Sequence, residues 1–191
     1  MFDALAQQIP YHTLIDTAAV RLDVKRLDLI HPQISGNKFY KLKYNLIEAQ
    51  KRGCARILTF GGAFSNHIAA TAYAAHRFNF QSIGIIRGEE LADRPLNPTL
   101  STAQALGMQL EFISRAQYRQ KDQPEFIQAL MQHYPNTYIV PEGGTNALAI
   151  QGSKEILSSF DREQYDLICC AVGTGGTLSG LIESSAESQQ L

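Results

Sequence analysis

Three short segments of the 191-residue chain combine residue types that can act on a small charged molecule. In SGNKFYKLKYN, Ser35 to Asn45, a small-residue loop delivers Lys38 at or just before the start of a helix. A lysine amine attacks a carbonyl only when its pKa is depressed, and the positive end of a helix dipole pushes it down. Lys38 is thus placed to form an imine; on this segment alone, a solvated surface lysine like Lys41 and Lys43 is the simpler reading. In TFGGAFSNH, Thr59 to His67, a strand ends in Gly61-Gly62 and a helix starts near Ser65-Asn66. Ser65 suits an N-cap; equally, its hydroxyl, the Asn66 amide and the free amides of a helix start can surround an anion. In AVGTGGTLSG, Ala171 to Gly180, an apolar run enters Gly173, Gly175 and Gly176 before another helix. Glycines let the backbone approach an oxyanion, and Thr174 and Thr177 add hydroxyls, so the composition is that of a phosphate cradle.

Elements must hold these segments in place, and the sequence indicates which. From about Ala55, short apolar runs (ARILTF, QSIGII, MQLEFI, TYIV, YDLICCAV) alternate with helical patterns, the rhythm of an α/β protein with parallel strands and crossover helices. Phe39, Leu42, Leu46 and Ala49 form one apolar stripe, and Gly53 can close that helix in a left-handed conformation. The helix after His67 runs out near Asn79, which tolerates the same conformation. There are no internal repeats and no low-complexity linker. After the last Gly-rich turn the alternation stops without a further strand, so the pattern reads as unfinished.

Composition removes several classes of function. The chain is 45% hydrophobic and 18% charged, with a net charge of -1, which gives no basic footprint for nucleic acid. No stretch approaches the ~20 apolar residues that span a bilayer, and the N-terminus has no signal-peptide pattern, so a cytoplasmic protein without membrane attachment is expected. Cys54, Cys169 and Cys170 form no CxxC pair, are odd in number and read as core thiols in a reducing compartment, not as metal ligands. The Gly-rich turn fails GxGxxG, because Leu178 stands where the third glycine is needed, and it has no Walker lysine. A nicotinamide site is further weakened because the acidic ribose partner belongs ~20 residues on, where this sequence has ended.

Taken in order, SGNK with its KLKY helix, GGAFSNH, EGGTNALAIQG and GTGGTLSG resemble the fold-type-II pyridoxal-phosphate enzymes, in the branch of D-cysteine desulfhydrase and 1-aminocyclopropane-1-carboxylate deaminase. The resemblance runs from Asp23 to Leu181. It implies a tryptophan-synthase-β-like α/β fold of two three-layer α/β/α units with mostly parallel sheets, truncated before the C-terminal part of the family pattern. The units expected are a larger cofactor-binding one, 1–53 with 141–191, and a smaller inserted one, 54–140.

The resemblance further implies pyridoxal 5'-phosphate as cofactor, Lys38 as the Schiff-base lysine, and Asn66 as donor to the cofactor's ring oxygen. Gly173, Thr174, Gly175, Gly176 and Thr177 would hold its phosphate, and Asn37 would share the pocket wall. Ser65, Asn66 and His67 would line the place of the substrate carboxylate, with Ser65 and Lys38 as the catalytic pair. The implied reaction takes a small amino acid, D-cysteine for choice, to pyruvate, ammonia and sulfide, in a homodimer. Deaminases proper usually carry Gln after the Ser-Asn pair, and His67 tilts the substrate toward D-cysteine. Ring-opening deamination of the cyclopropane is the first alternative, and a cofactor-binding homologue or fragment without turnover is the second.

Overall fold

The computed structural model describes residues 2–191. In chain order the elements are β1 (Tyr11–Asp16), β2 (Arg21–Lys25), α1 (Asn37–Lys51), β3 (Arg56–Gly61), α2 (Asn66–Arg77), β4 (Gln81–Arg87), α3 (Pro98–Ala105), β5 (Met108–Ile113), α4 (Arg115–Tyr118), α5 (Pro124–His133), β6 (Thr137–Val140), α6 (Ala147–Ser153), α7 (Ser159–Gln164) and α8 (Gly176–Ser184). Strands β5-β4-β3-β6 form one parallel sheet, and β1 and β2 form an antiparallel hairpin. A parallel sheet covered by helices on both faces needs strands that are apolar throughout rather than alternating. Accordingly Ile57, Leu58, Phe60, Ile83, Ile85, Ile86 and Val140 are all buried. Helix α5 packs on one face through Phe126, Ile127 and Leu130, and α2 and α3 cover the other through Ile68, Ala72, Leu100 and Ala103.

Helix α1 buries the stripe read from the sequence, Phe39, Leu42, Leu46 and Ala49; full burial of a leucine side chain contributes about 1.5–3 kcal/mol. It ends as its sequence requires. Gly53 adopts φ +68°, its amide donates to the Gln50 carbonyl, and the Cys54 amide donates to that of Ala49. Asn79 closes α2 in the same conformation at φ 61°.

Two glycines fix how three helices stack. A Cβ on Gly152 of α6 would fall 2.0 Å from the Tyr40 carbonyl oxygen of α1, and one on Gly180 of α8 would fall 2.4 Å from Ser153 Cβ of α6. Only glycine allows these backbones to meet. The hairpin β1–β2 is tied to α7 through Asp161, which accepts from Tyr11 at 2.7 Å and Lys25 at 2.5 Å.

One expected strand does not form. YDLICCAV, residues 165–172, makes a single ladder contact, a bridge from Leu167 to Gln190. A strand exists only through the hydrogen bonds of a neighbour, and the other apolar runs find theirs in the sheet between Arg56 and Val140. Among the described residues the helices α1, α6 and α8 therefore pack on one another without a second parallel sheet beneath them. Nor are all three cysteines core thiols: Cys169 is exposed, and Cys54 and Cys170 are half-buried.

Candidate active site

The helix starts of α1 and α8 meet at a cleft of about 200 Å³, lined by Asn37, Lys38, Gly143 and the run from Ala171 through Leu178 other than Gly176. Asn37 opens α1 and its side-chain amide donates to Thr177 Oγ1 of α8 at 2.8 Å, which locks the two termini together. Gly175, at φ 82°, turns the chain into α8. The cleft thus combines the free amides of a helix start with the two threonines and the lysine expected from the sequence.

Lys41, one turn after Lys38, departs from its surface reading. It is 1% exposed, and its ammonium donates to Thr145 Oγ1 at 2.9 Å and Thr174 Oγ1 at 3.4 Å; those hydroxyls lie 2.5 Å apart. Gly176 makes room for it, since a Cβ there would fall 3.3 Å from Lys41 Nζ. Burial, then the neighbouring charge of Lys38, brings the Lys41 pKa down to about 8, and burial also lowers that of Lys38. No carboxylate among the described residues offsets either charge. Lys43 is also buried, but it is satisfied by ion pairs to Asp3 at 2.6 Å and Glu155 at 2.7 Å.

The Ser65-Asn66-His67 segment starts α2 at the C-terminal end of β3. Ser65 caps the helix by accepting from the Ile68 amide at 3.3 Å, and Gly61 leaves the space, since a Cβ there would fall 2.9 Å from Ser65 Oγ. Asn66 is exposed, and neither it nor Ser65 lines the 200 Å³ cleft. His67 is 2% exposed and lies behind the turn at Gly143 and Gly144, with Cε1 3.1 Å from the position of a Gly144 Cβ. Gly143 faces the cleft on the other side of that turn, where a Cβ would fall 3.4 Å from Thr174 Oγ1. Thr59 Oγ1 donates to the Val140 carbonyl at 2.8 Å, so the 2.9 Å contact with His67 is assigned as Nε2–H donating to Thr59. Nδ1 is left buried without a partner. Burial, followed by the charges of Lys38 and Lys41, drives the imidazole pKa down to about 3.

Lys38 and Lys41 therefore place two amines beside a glycine and threonine cradle, an arrangement that suits an anion. A phosphate answers it: the cradle supplies amides and hydroxyls, and Lys41 supplies the positive charge. An aldehyde on the same molecule answers Lys38, whose amine burial makes easier to deprotonate. Lys41 and Thr145 were not singled out from the sequence. The available signal was the spacing of Lys38, Lys41 and Asn45 at i, i+3 and i+7, a polar face beside the apolar stripe. That face meets the start of α6, where Asn146 donates to Asn45 Oδ1 at 2.7 Å.

The sequence pattern of the family described as "Pyridoxal-phosphate dependent enzyme" matches residues 8–190. The chain belongs to that family. A Thermotoga maritima protein, provisionally named a 1-aminocyclopropane-1-carboxylate deaminase, is 37% identical over 164 residues, 83% of this chain and 52% of its own length. The mitochondrial bifunctional D-cysteine desulfhydrase/1-aminocyclopropane-1-carboxylate deaminase of Arabidopsis thaliana is 31% identical over 173 residues, 83% of this chain and 43% of its own. Among solved structures, an ACC deaminase homologue superimposes with a TM-score of 0.77 at 25% identity over 94% of this chain and 57% of its own. A hydrogen sulfide-producing enzyme of Fusobacterium nucleatum superimposes at 0.71 with 17% identity over 96% of this chain and 60% of its own, which shows the shared fold. The chain spans about half the length of the curated relatives it matches.

Proposed function

We propose that this chain carries the cofactor site of a pyridoxal-phosphate-dependent lyase that acts on a small amino acid, most closely a D-cysteine desulfhydrase. The observation that carries the reading is the Lys41 ammonium, buried without a carboxylate and held by Thr145 and Thr174 directly behind the cradle that Lys38 borders. When bound, the cofactor supplies a carbonyl for an amine and a ring that accepts electron density from the bond being broken.

In this reading the residues divide the work. Gly173, Thr174, Gly175, Gly176 and Thr177 receive the phosphate with Lys41. Asn37 keeps the cradle in register through Thr177. The amine of Lys38, unburdened of its proton more readily than in water, holds the cofactor and then takes the α-proton of the substrate. Asn66 donates to the ring oxygen, and Ser65 and His67 line the place of the substrate carboxylate beside it. Because His67 is neutral and its Nε2–H is given to Thr59, it shapes that place and is not a counter-ion.

Deamination of 1-aminocyclopropane-1-carboxylate is the second reading, favoured by the Thermotoga relative; His67 after the Ser-Asn pair favours D-cysteine. The reading includes two structural units, 1–53 with 141–191 and 54–140, supported by the confinement of the parallel sheet to residues 56–140. It also includes a cytoplasmic homodimer. No helix among the described residues is long and apolar enough to cross a membrane.

Adding pyridoxal phosphate to the purified protein tests the reading. Absorbance at the edge of the visible range, a raised melting temperature and pyruvate release from D-cysteine are expected, and Lys38→Ala should lose the absorbance and the pyruvate. A Lys38→Ala protein that keeps both contradicts it.

A further inference from the structure

The C-terminal end of the sheet carries a second group of charged side chains. Parallel pairing sets Gly61 against Ile86, so the residues that follow, Gly62 and Arg87, lie side by side at the end of the sheet, where Arg87 is the last residue of β4 and pairs with Ile113 of β5. Gly62 opens the turn that leads to Ser65, whose amide donates back to the Gly62 carbonyl at 3.1 Å. A Cβ on Gly62 would lie 3.6 Å from a terminal nitrogen of Arg87, so the guanidinium rests against this turn.

Tyr118 holds the guanidinium there, with its ring centre 5.6 Å from the Arg87 Cζ. The Tyr118 hydroxyl donates to Glu142 at 2.8 Å, and Lys121 stands 3.4 Å from the other Glu142 oxygen. The carboxylate in this cluster is therefore taken by a phenol and a lysine, and among the described residues Arg87 forms no ion pair. The residue after Glu142 is Gly143, which lines the cleft beside Lys38. Arg87 thus touches the turn at Gly62 and is linked through Tyr118 and Glu142 to the turn at Gly143, with its donors uncommitted to any carboxylate among the described residues.

A guanidinium fork matches a planar or tetrahedral anion through parallel hydrogen bonds, and stacking on an aromatic face fixes its direction at little entropic cost. We propose that Arg87 is a specificity-determining residue that receives an anionic group on the β-carbon of the amino-acid substrate. The thiolate of cysteine is the smallest such group, and a carboxylate or sulfonate is a larger one. The proposal rests on the amino-acid reading of the site, in which Ser65 and His67 line the place of the α-carboxylate and leave the arginine for a second anion. It favours D-cysteine over the cyclopropane substrate, which has no anion beyond its α-carboxylate.

Isothermal titration of both enantiomers of aspartate and of alanine into the wild-type protein, Arg87→Gln and Arg87→Lys tests it, with cofactor content measured in parallel by absorbance. For one enantiomer, aspartate should bind wild type on the order of tenfold more tightly than alanine. Arg87→Gln should abolish that preference, while Arg87→Lys, which keeps a charge over Tyr118 but not the fork, should keep only a minor part. Equal affinities in wild type, or an undiminished preference in Arg87→Gln, overturn the proposal. A protein that shows the Arg87-dependent preference without taking up pyridoxal phosphate supports the arginine site and contradicts the cofactor reading; a cofactor-loaded protein without the preference does the reverse.

Discussion

A lysine that is 1% exposed and faces no carboxylate makes the cofactor-free protein less stable whenever it is charged. Replacing Lys41 with Met should therefore have opposite effects on two measurements. At pH 7 the cofactor-free variant should be more stable than wild type by about 1–2 kcal/mol in urea titrations, and its affinity for pyridoxal phosphate should fall at least about tenfold through loss of a charge-assisted contact. A purely structural Lys41 would lower stability on removal and leave affinity alone. The sign with pH follows from linkage. The folded pKa of about 8 lies below the ordinary 10.5, so between them the unfolded chain binds the extra proton. Stability of the cofactor-free protein should rise from pH 8 toward 10.5.

His67 behaves alike at lower pH. Its folded value of about 3 lies below the ordinary 6.5, so its contribution is complete above 6.5 and is lost as pH falls toward 3. Acid titration of the melting temperature should show this component, and a His67→Leu variant should lack it. For the same reason, no limb of an activity profile between pH 5 and 8 should belong to His67; a limb there that disappears on His67→Gln would contradict the buried neutral ring.

At the scale of elements, the site depends on how closely three helices approach. Gly152→Ala places a methyl 2.0 Å from the Tyr40 carbonyl oxygen, and the shift of α6 away from α1 should cost about 3 kcal/mol or more. Gly53→Ala meets open space and only a left-handed backbone, so about 1 kcal/mol is expected. Comparable losses at both positions in denaturant titrations would contradict the packing role. The same elements show what the sequence could reveal. The stripe and cap of α1 are local properties, spelled out by Phe39, Leu42, Leu46, Ala49 and Gly53. The burial of Lys41 is not local, because it depends on Thr145 and Thr174, more than 100 residues away in sequence. The run 165–172 has the composition of a strand, yet pairing depends on a neighbour that composition does not specify.

For the whole molecule, the order of the four motifs carried the family reading, and the fold explains why spacing alone did not display the site. Crossover helices and the parallel sheet bring Asn37 and Lys38 against Gly173 to Thr177 across 140 residues of chain. They set Ser65, Asn66 and His67 across the Gly143-Gly144 turn from that cleft. Arg87 ends β4, Tyr118 ends α4 and Glu142 follows β6, and no motif in the sequence joined them. The family match over residues 8–190 covers almost all of this chain, and the chain spans about half the length of its curated relatives.

The central claim is that Lys38 is the residue that attaches the cofactor. Borohydride reduction of the protein with pyridoxal phosphate, followed by intact mass and peptide mapping, tests it most directly. The account predicts one phosphopyridoxyl group per chain, located on Lys38. No added mass, or a group located on Lys41 or a surface lysine with Lys38 unmodified, would contradict it.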